Sequence, residues 1–368
     1  MAVAHWMQQW ESASWNSSVQ DWISRVLDAY GVSQAGPLER VTHGLGAVVI
    51  SVPTEAGPLY FKAAAPTRSH EAELVSRIAP RSKGLIPQPL AVELDEGWML
   101  SPGLGDTLSG QPVPRDPGGW RRVFAEAASL QTALSAAAEE LAEGGMPGFL
   151  PDSAAEYLNG ALLLHAQLPP EHPLHISGED AEMLAQGLAT VEDATRRLAA
   201  VPVPLTLQQG TLDPAQILVP ASARASHLFI GWADARWSHP FGLVGEAVQR
   251  LCEVHGVEPS QEPVRSMLLA YLEPFTDAAP VSELVELLGP ASLVAQAQRH
   301  EALVELLLLA DPEDQAAYAP EALRRLAGAL ATPGRTSRRS ARAGAHGGTR
   351  QSNRAQQGSS GPGRRRAR

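Results

Sequence analysis

The hydrophobic pattern near the start of the chain is helical. In residues 18–30 the apolar side chains recur every three or four positions, as on one face of an amphipathic helix, and Gly31 gives a stop signal. The residues on this face are Val19, Trp22, Ile23, Val26 and Tyr30. Tryptophans at positions 6, 10 and 15 precede this helix. We predict that residues 1–32 form a helical leader packed on the next domain; the alternative is an arm that docks a protein partner.

The pattern then changes to that of β-strands. Residues 38–64 are rich in β-branched and aromatic residues interrupted by turn residues, which predicts a set of short strands. A helix is predicted from about Ser69 and ends at Pro80, where the backbone N–H needed by a helix is missing. A further strand and a glycine-rich crossing follow in residues 97–105. We predict a small sheet-containing lobe over residues 33–105.

The rest of the patterned chain is helical. Apolar residues at helical spacing predict a long core-facing helix over residues 120–141 and a series of further helices behind it. The further helices are predicted at 154–166, 180–200, 240–255, 263–273, 281–309 and 319–331. We assign residues 106–332 to a larger helical lobe. Strands followed by helices are typical of an α+β fold.

Composition limits the class of protein. A chain of 368 residues with 44% hydrophobic residues is long enough for two lobes. Its single cysteine, Cys252, excludes a disulfide within the chain and a cysteine-rich zinc site. The N-terminus has no basic start followed by an apolar run, and the longest apolar stretch, residues 302–310, is too short to cross a bilayer. We therefore expect a cytoplasmic protein that does not bind membranes.

Charge is distributed unevenly. Residues 333–368 hold ten arginines, no acid and no apolar periodicity, which predicts a disordered basic tail. The remaining residues 1–332 hold 19 basic and 40 acidic residues, a formal charge of about −21. We expect the tail to bind polyanions weakly without sequence preference, or to contact the acidic body. Association with nucleic acid through this tail is one possible function.

Two segments of the helical lobe carry a family resemblance. Residues 206–219 read T-L-Q-Q-G-T-L-D-P-A-Q-I-L-V, and residues 229–241 read F-I-G-W-A-D-A-R-W-S-H-P-F. The first resembles the catalytic loop H-G-D-x-H-P-x-N-I-L of the aminoglycoside phosphotransferase and choline-kinase-like family. The second resembles the metal-binding strand end I-D-W-x-D-A-x-x-x-x-P of the same family. The matching residues are Gly210, Leu212, Pro214, Ile217, Leu218, Trp232, Asp234, Ala235 and Pro240. The resemblance implies a bilobal protein-kinase-like fold with a small antiparallel-sheet lobe and a larger helical lobe.

The residues that would perform the chemistry depart from this pattern. Thr211 stands where the family has its catalytic Asp, and a neutral hydroxyl is a poor base. Gln216 stands where the family has a metal-binding Asn, and Gly231 replaces a metal-binding Asp. Gln209 stands where the family has a His. Because Mg²⁺ needs hard oxygen ligands in tight geometry, the metal site at Gln216 and Asp234 is predicted to be degenerate.

The small lobe keeps residues that the resemblance assigns to nucleotide binding. Lys62 matches the family's strand lysine, which contacts the ATP phosphates and pairs with a helix glutamate. Glu71 is the best match for that glutamate, and Glu73 is the second candidate. Gly44 and Gly46 fall where a glycine-rich loop would cover phosphates, although a G-x-G is equally typical of a plain turn. The backbone near Met99–Ser101, at the interlobe hinge, would face an adenine if one binds.

We predict from these residues a catalytically impaired phosphotransferase homologue that acts by binding a nucleotide or small molecule, or as a scaffold. The first alternative is an active ATP-dependent kinase of small-molecule hydroxyl groups, in which Asp213 and Asp234 form an unconventional metal site. The second is the nucleic-acid-associated protein described above.

Overall fold

A computed structural model of the chain describes residues 5–110, 117–137, 141, 146–220, 222 and 224–331. Contacts divide the chain into the compact unit Met1–Leu330 and the segment Ala331–Arg368. The predicted leader and both predicted lobes therefore belong to one compact unit. The predicted disorder of the tail concerns residues outside the described ones.

The leader consists of two helices, α1 (Trp6–Glu11) and α2 (Ala13–Tyr30). The Ser12 side chain caps α2 by accepting a hydrogen bond from the backbone N–H of Trp15 at 3.2 Å. On the predicted apolar face of α2, Val19, Trp22 and Ile23 are buried and Val26 is half-buried, whereas Tyr30 is 55% exposed and donates its hydroxyl to Leu90 O. Including Tyr30 in that face was wrong, because the residue lies at the end of the helix, where it reaches a loop.

The small lobe is built on a five-stranded antiparallel sheet in the order β1-β2-β3-β5-β4. Its strands are β1 (Glu39–Gly44), β2 (Ala47–Val52), β3 (Leu59–Ala64), β4 (Ala91–Glu93) and β5 (Trp98–Pro102). Their inward residues form one hydrophobic core with the leader, in which the rings of Trp15, Trp22, Phe61 and Trp98 meet edge to face. The leader is therefore part of this lobe's core. One helix, α3 (Glu71–Ile78), follows β3 after a short 3₁₀ turn at Pro66–Arg68.

The large lobe is helical. It contains α4 (Pro117–Ser135), α5 (Ala154–Gln167), α6 (Gly178–Ala185), α7 (Leu188–Ala200), α8 (Gly245–His255), α9 (Val264–Leu272), α10 (Val281–Glu286), α11 (Leu288–Leu307) and α12 (Pro312–Ala329). The buried faces of these helices form the main core of the molecule. A small antiparallel sheet beside a larger helical lobe confirms the predicted fold class. No helix among the described residues is long and apolar enough to cross a membrane.

Several helix boundaries in this lobe differ from the sequence prediction. The single helices predicted over residues 180–200 and 281–309 are each two helices, α6 with α7 and α10 with α11. At the junction of α6 and α7, Gly187 packs against the Leu330 carbonyl oxygen so closely that a Cβ would not fit. The last helix begins at Pro312 rather than near 319, because Asp311 caps it and proline is favourable in its first turn.

Candidate functional site

Two short strand pairs bring the two motif segments together. Strand β6 (Thr206–Gln208) pairs with β9 (Arg236–Ser238), and β7 (Ile217–Leu218) pairs with β8 (Leu228–Phe229), both antiparallel. The intervening loops, 209–216 and 230–235, are therefore held side by side. A backbone hydrogen bond from Ile230 N to Gln216 O, 2.9 Å long, joins them. These loops are the floor of the candidate site.

The ion pair that the resemblance implies is present in the small lobe. Lys62 Nζ on β3 lies 2.7 Å from Oε1 and 2.6 Å from Oε2 of Glu71, the first residue of α3. The Glu71 side chain is only 2% exposed, and its Oε1 also accepts the backbone N–H of Trp232 at 2.8 Å. Glu73, the second candidate, pairs instead with Arg77 four residues along the helix. Lys62 is therefore fixed against the metal-motif loop through Glu71.

Met99 lies inside β5, paired with Lys62 of β3 on one side and Val92 of β4 on the other. That the backbone near Met99–Ser101 faces an adenine stays a prediction. On the β4 side, pairing of β5 ends at Leu100, so backbone groups free for a ligand begin beyond that residue.

The turn between β1 and β2 is tight, since Gly44 pairs directly with Ala47. The leader supports this turn: Trp6 Nε1 donates to the Leu45 carbonyl oxygen at 3.1 Å. The Arg68 guanidinium lies under it, so close that a Cβ on Gly46 would be 2.7 Å from Arg68 Nη1. Arg68, which sequence reasoning missed, thus lies where the glycine turn approaches the motif loops.

Gly231 is a glycine for two physical reasons. Its φ of +78° is one that side chains rarely adopt. A Cβ there would also lie 2.9, 3.1 and 3.2 Å from Nε2, Cδ and Cγ of Gln216. The longer Gln216 side chain therefore fills the space that a side chain on Gly231 would need. The two departures from the family motif are spatially coupled.

The acids proposed for an unconventional metal site have separate partners. Asp234 forms an ion pair with Arg68. Asp213 caps a 3₁₀ turn, where its Oδ1 accepts the backbone N–H of Ala215 at 2.8 Å, and its Oδ2 lies 3.9 Å from Arg250 Nη2 on α8. A Mg²⁺ ion typically takes one or two carboxylates plus phosphate oxygens and waters. The residues present do not fit it, because Asp234 is already paired with Arg68 and Gly231 offers no ligand.

A cavity of about 210 Å³ opens beside the first motif loop. It is lined by Arg68, Gln209, Gly210, Thr211, Gln216, Asp234, Gln298, Arg299, Ala302, Leu303, Tyr318, Glu321 and Arg325. Residues from the two motif loops and from α11 and α12 thus share one cavity, with Thr211 at its wall. Asp213 is absent from this lining. The residues from α11 and α12 lie in ordinary amphipathic helix patterns, so the sequence alone contains no signal for them.

Solved structures share this fold. An ethanolamine kinase from Plasmodium vivax has a TM-score of 0.58 and 14% identity, covering 79% of this chain and 82% of its own. A choline/ethanolamine kinase family protein from Mesorhizobium loti has a TM-score of 0.54 and 17% identity, covering 82% and 90%.

A macrolide 2'-phosphotransferase from Brachybacterium faecium has a TM-score of 0.54 and 17% identity, covering 85% and 99%. Neither a protein-family model nor the sequence of a curated protein matches the chain. At such identities the likeness establishes the fold: the chain has the bilobal fold of these phosphotransferases.

Proposed function

We propose that this chain is a catalytically impaired member of the aminoglycoside phosphotransferase and choline-kinase-like family that acts by binding a nucleotide or a small molecule. The observation that carries the proposal is the packing of Gln216 against Gly231. One metal-ligand position has no side chain, and the amide from the other fills its space. A metal-binding acid could enter only if Gln216 moved out.

The catalytic base is also missing in this account. Phosphoryl transfer depends on aligning the acceptor hydroxyl and on neutralising charge at the phosphates. Thr211 offers a neutral hydroxyl at the base position, which is a poor proton acceptor near neutral pH. Asp213, two residues on, is held by Ala215 N and lies near Arg250, so it does not replace the base without a rearranged loop.

The nucleotide-contacting side of the site supports a retained binding role. Lys62 keeps its pairing with Glu71, so its ammonium group is fixed at the place where phosphates would bind in an active relative. Arg68, which is paired with Asp234, adds a second cationic side chain beneath the Gly44–Gly46 turn. Two fixed cations near a turn suit phosphate oxygens without a metal. ATP or ADP would therefore bind weakly and nearly independently of Mg²⁺.

The active-kinase alternative requires Asp213 and Asp234 to converge on one metal ion. Their separate ion partners, Arg250 and Arg68, argue against it. The nucleic-acid alternative depends on residues 333–368, which lie outside the described residues. A scaffold role for a protein partner is compatible with the same impaired site.

Thermal-shift titration of the full chain with ATP or ADP, in Mg²⁺ and in EDTA, tests the proposal. We expect a small stabilisation of similar size in both conditions, absent in Lys62→Met. The matched control is Lys83→Met, because Lys83 is the only other lysine and is exposed. A large shift that requires Mg²⁺ would show that a metal site survives and would overturn the proposal.

A further inference from the structure

The cavity beside Thr211 contains more positive charge than its surroundings. We call it the arginine cavity, after the lining residues Arg68, Arg299 and Arg325. Two carboxylates, Asp234 and Glu321, share its wall. Residues 1–332 as a whole have twice as many acids as bases, 40 against 19. Each of the three guanidinium groups has a carboxylate partner nearby, Asp234, Glu246 or Glu321, and the N–H groups left over can donate to a ligand with negative charge.

Arg299 is the most constrained of the three. It lies on α11 with a side chain 7% exposed, and its Nη1 donates to Gly210 O at 2.9 Å. Its Nε lies 3.2 Å from Glu246 Oε1, while its Nη2 has no hydrogen-bond partner among the described residues. Burial lowers the pKa of Arg299 to about 10, so it stays charged at neutral pH. A buried, charged N–H group without a partner is costly.

Arg325 on α12 lines the same cavity and shares one acidic partner, Glu246, with Arg299. Its Nη1 lies 3.5 Å from Oε1 of Glu246, the same oxygen that faces Arg299, and its Nε lies 2.6 Å from Glu321 Oε1. One carboxylate oxygen thus serves two guanidinium groups. A planar oxyanion is the group that guanidinium forks bind best, through two parallel hydrogen bonds.

The cavity also offers groups for a hydroxyl. Thr211 lines the cavity at the position of the family's base, and Gln298, 1% exposed, has an Oε1 atom with no hydrogen-bond partner among the described residues. A carbonyl oxygen without a partner accepts a hydrogen bond from an O–H group. The volume of about 210 Å³ is below the range of about 300–1,000 Å³ typical of sites for drug-sized ligands. The occupant is therefore small.

We propose that the arginine cavity binds a small hydroxylated oxyanion, with its carboxylate or phosphate against Arg299 and Arg325 and a hydroxyl beside Gln298 and Thr211. The inference rests on the proposed binding function and names its ligand class. Polycationic and amino-alcohol ligands are disfavoured, because an ammonium group cannot accept a hydrogen bond from Arg299 Nη2. The cavity is also too small for a polycyclic antibiotic.

Four compounds on one three-carbon skeleton test this class: glycerate, glycerol 3-phosphate, glycerol and 2-amino-1,3-propanediol. Binding is measured by isothermal titration calorimetry of the full chain without nucleotide. Physiological ionic strength screens the long-range repulsion from the acidic body. We expect glycerate or glycerol 3-phosphate to bind and the neutral and cationic compounds not to bind. The two anions distinguish a carboxylate ligand from a phosphate ligand. Binding by the cation or by glycerol alone would overturn the proposal.

Variants locate the binding. We expect Arg325→Gln to lower the affinity for the anion about ten- to a hundredfold, as for a lost hydrogen bond to a charged group. Arg299→Gln should abolish binding, and Arg325→Gln keeps the test valid if Arg299→Gln fails to fold. The matched control is Arg196→Gln, an exposed arginine that does not line the cavity. Equal affinity in Arg325→Gln and the wild-type chain would place the anion elsewhere and refute the assignment.

The two proposals fail separately. The nucleotide is assigned to Lys62 and the anion to the arginine cavity, which Lys62 does not line, so each ligand is titrated on its own. If the anion binds and ATP is turned over in a Mg²⁺-dependent way, the impaired-enzyme proposal is wrong and the proposed ligand class is retained. If the anion does not bind but the nucleotide shift is observed, the ligand class is wrong and the impaired-enzyme proposal is retained.

Discussion

Replacing Gly231 by alanine perturbs the point where the two motif loops meet. The backbone there has φ +78°, and holding a side chain in this left-handed region costs about 1–2 kcal/mol. The new Cβ would also stand 2.9 Å from Gln216 Nε2 and 3.2 Å from its Cγ, so the whole Gln216 side chain must leave its rotamer. Such a displacement costs about 1 kcal/mol. We expect Gly231→Ala to lower the free energy of unfolding by about 2–3 kcal/mol.

Urea unfolding followed by tryptophan fluorescence measures this, with a double-mutant cycle to isolate the Gln216 contribution. Gly256→Ala is the matched control, since Gly256 has φ +65° and open space around it, and it should cost about 1–2 kcal/mol. In a Gln216→Ala background, the cost of Gly231→Ala should fall by about 1 kcal/mol. If the cost of Gly231→Ala were the same with and without Gln216, the claim that this side chain fills the ligand space would be refuted.

Two further predictions concern the ion pair and the tail. Lys62→Met leaves Glu71 buried with Trp232 N as its remaining hydrogen-bond partner. Urea unfolding should therefore show a free energy of unfolding lower by about 3–5 kcal/mol, partly recovered by adding Glu71→Gln. A decrease below about 1 kcal/mol would contradict the burial argument. Fluorescence anisotropy with short duplex DNA should show weak binding by the full chain and none by a chain ending at Thr332. Six phosphate contacts would give a log–log salt slope of about −5. Equal binding by both chains would remove the tail from the account.

Much of the architecture could be predicted because it depends on local pattern. Alternating apolar strands, helical periodicity and proline or glycine boundaries are encoded within short segments. The motif frames around Gly210 and Trp232 placed the loops, and the resemblance identified Glu71 as the partner of Lys62. These features require no knowledge of how distant segments meet.

The remaining features arise from tertiary contacts between distant residues. Arg299 reaches Gly210 across 89 positions, and an arginine within a long helix carries no sequence signal of that contact. Arg68 becomes part of the site only because the 3₁₀ turn before α3 meets the second motif loop at Asp234. Gly187, at the junction of α6 and α7, packs against Leu330 from the far end of the lobe. Sequence patterns give elements and motifs, but not which side chains fill the space between them.

The central claim is that the phosphoryl-transfer chemistry has been lost, and ATP turnover tests it most directly. Full-length protein with Mg²⁺ and ATP is assayed against glycerate, choline, homoserine and an aminoglycoside. The account predicts no turnover above a control without protein. Thr211→Asp alone should also remain inactive, since a restored base has no metal-aligned phosphate to serve. Turnover that requires Mg²⁺ and is abolished by Asp213→Ala or Asp234→Ala would contradict the account.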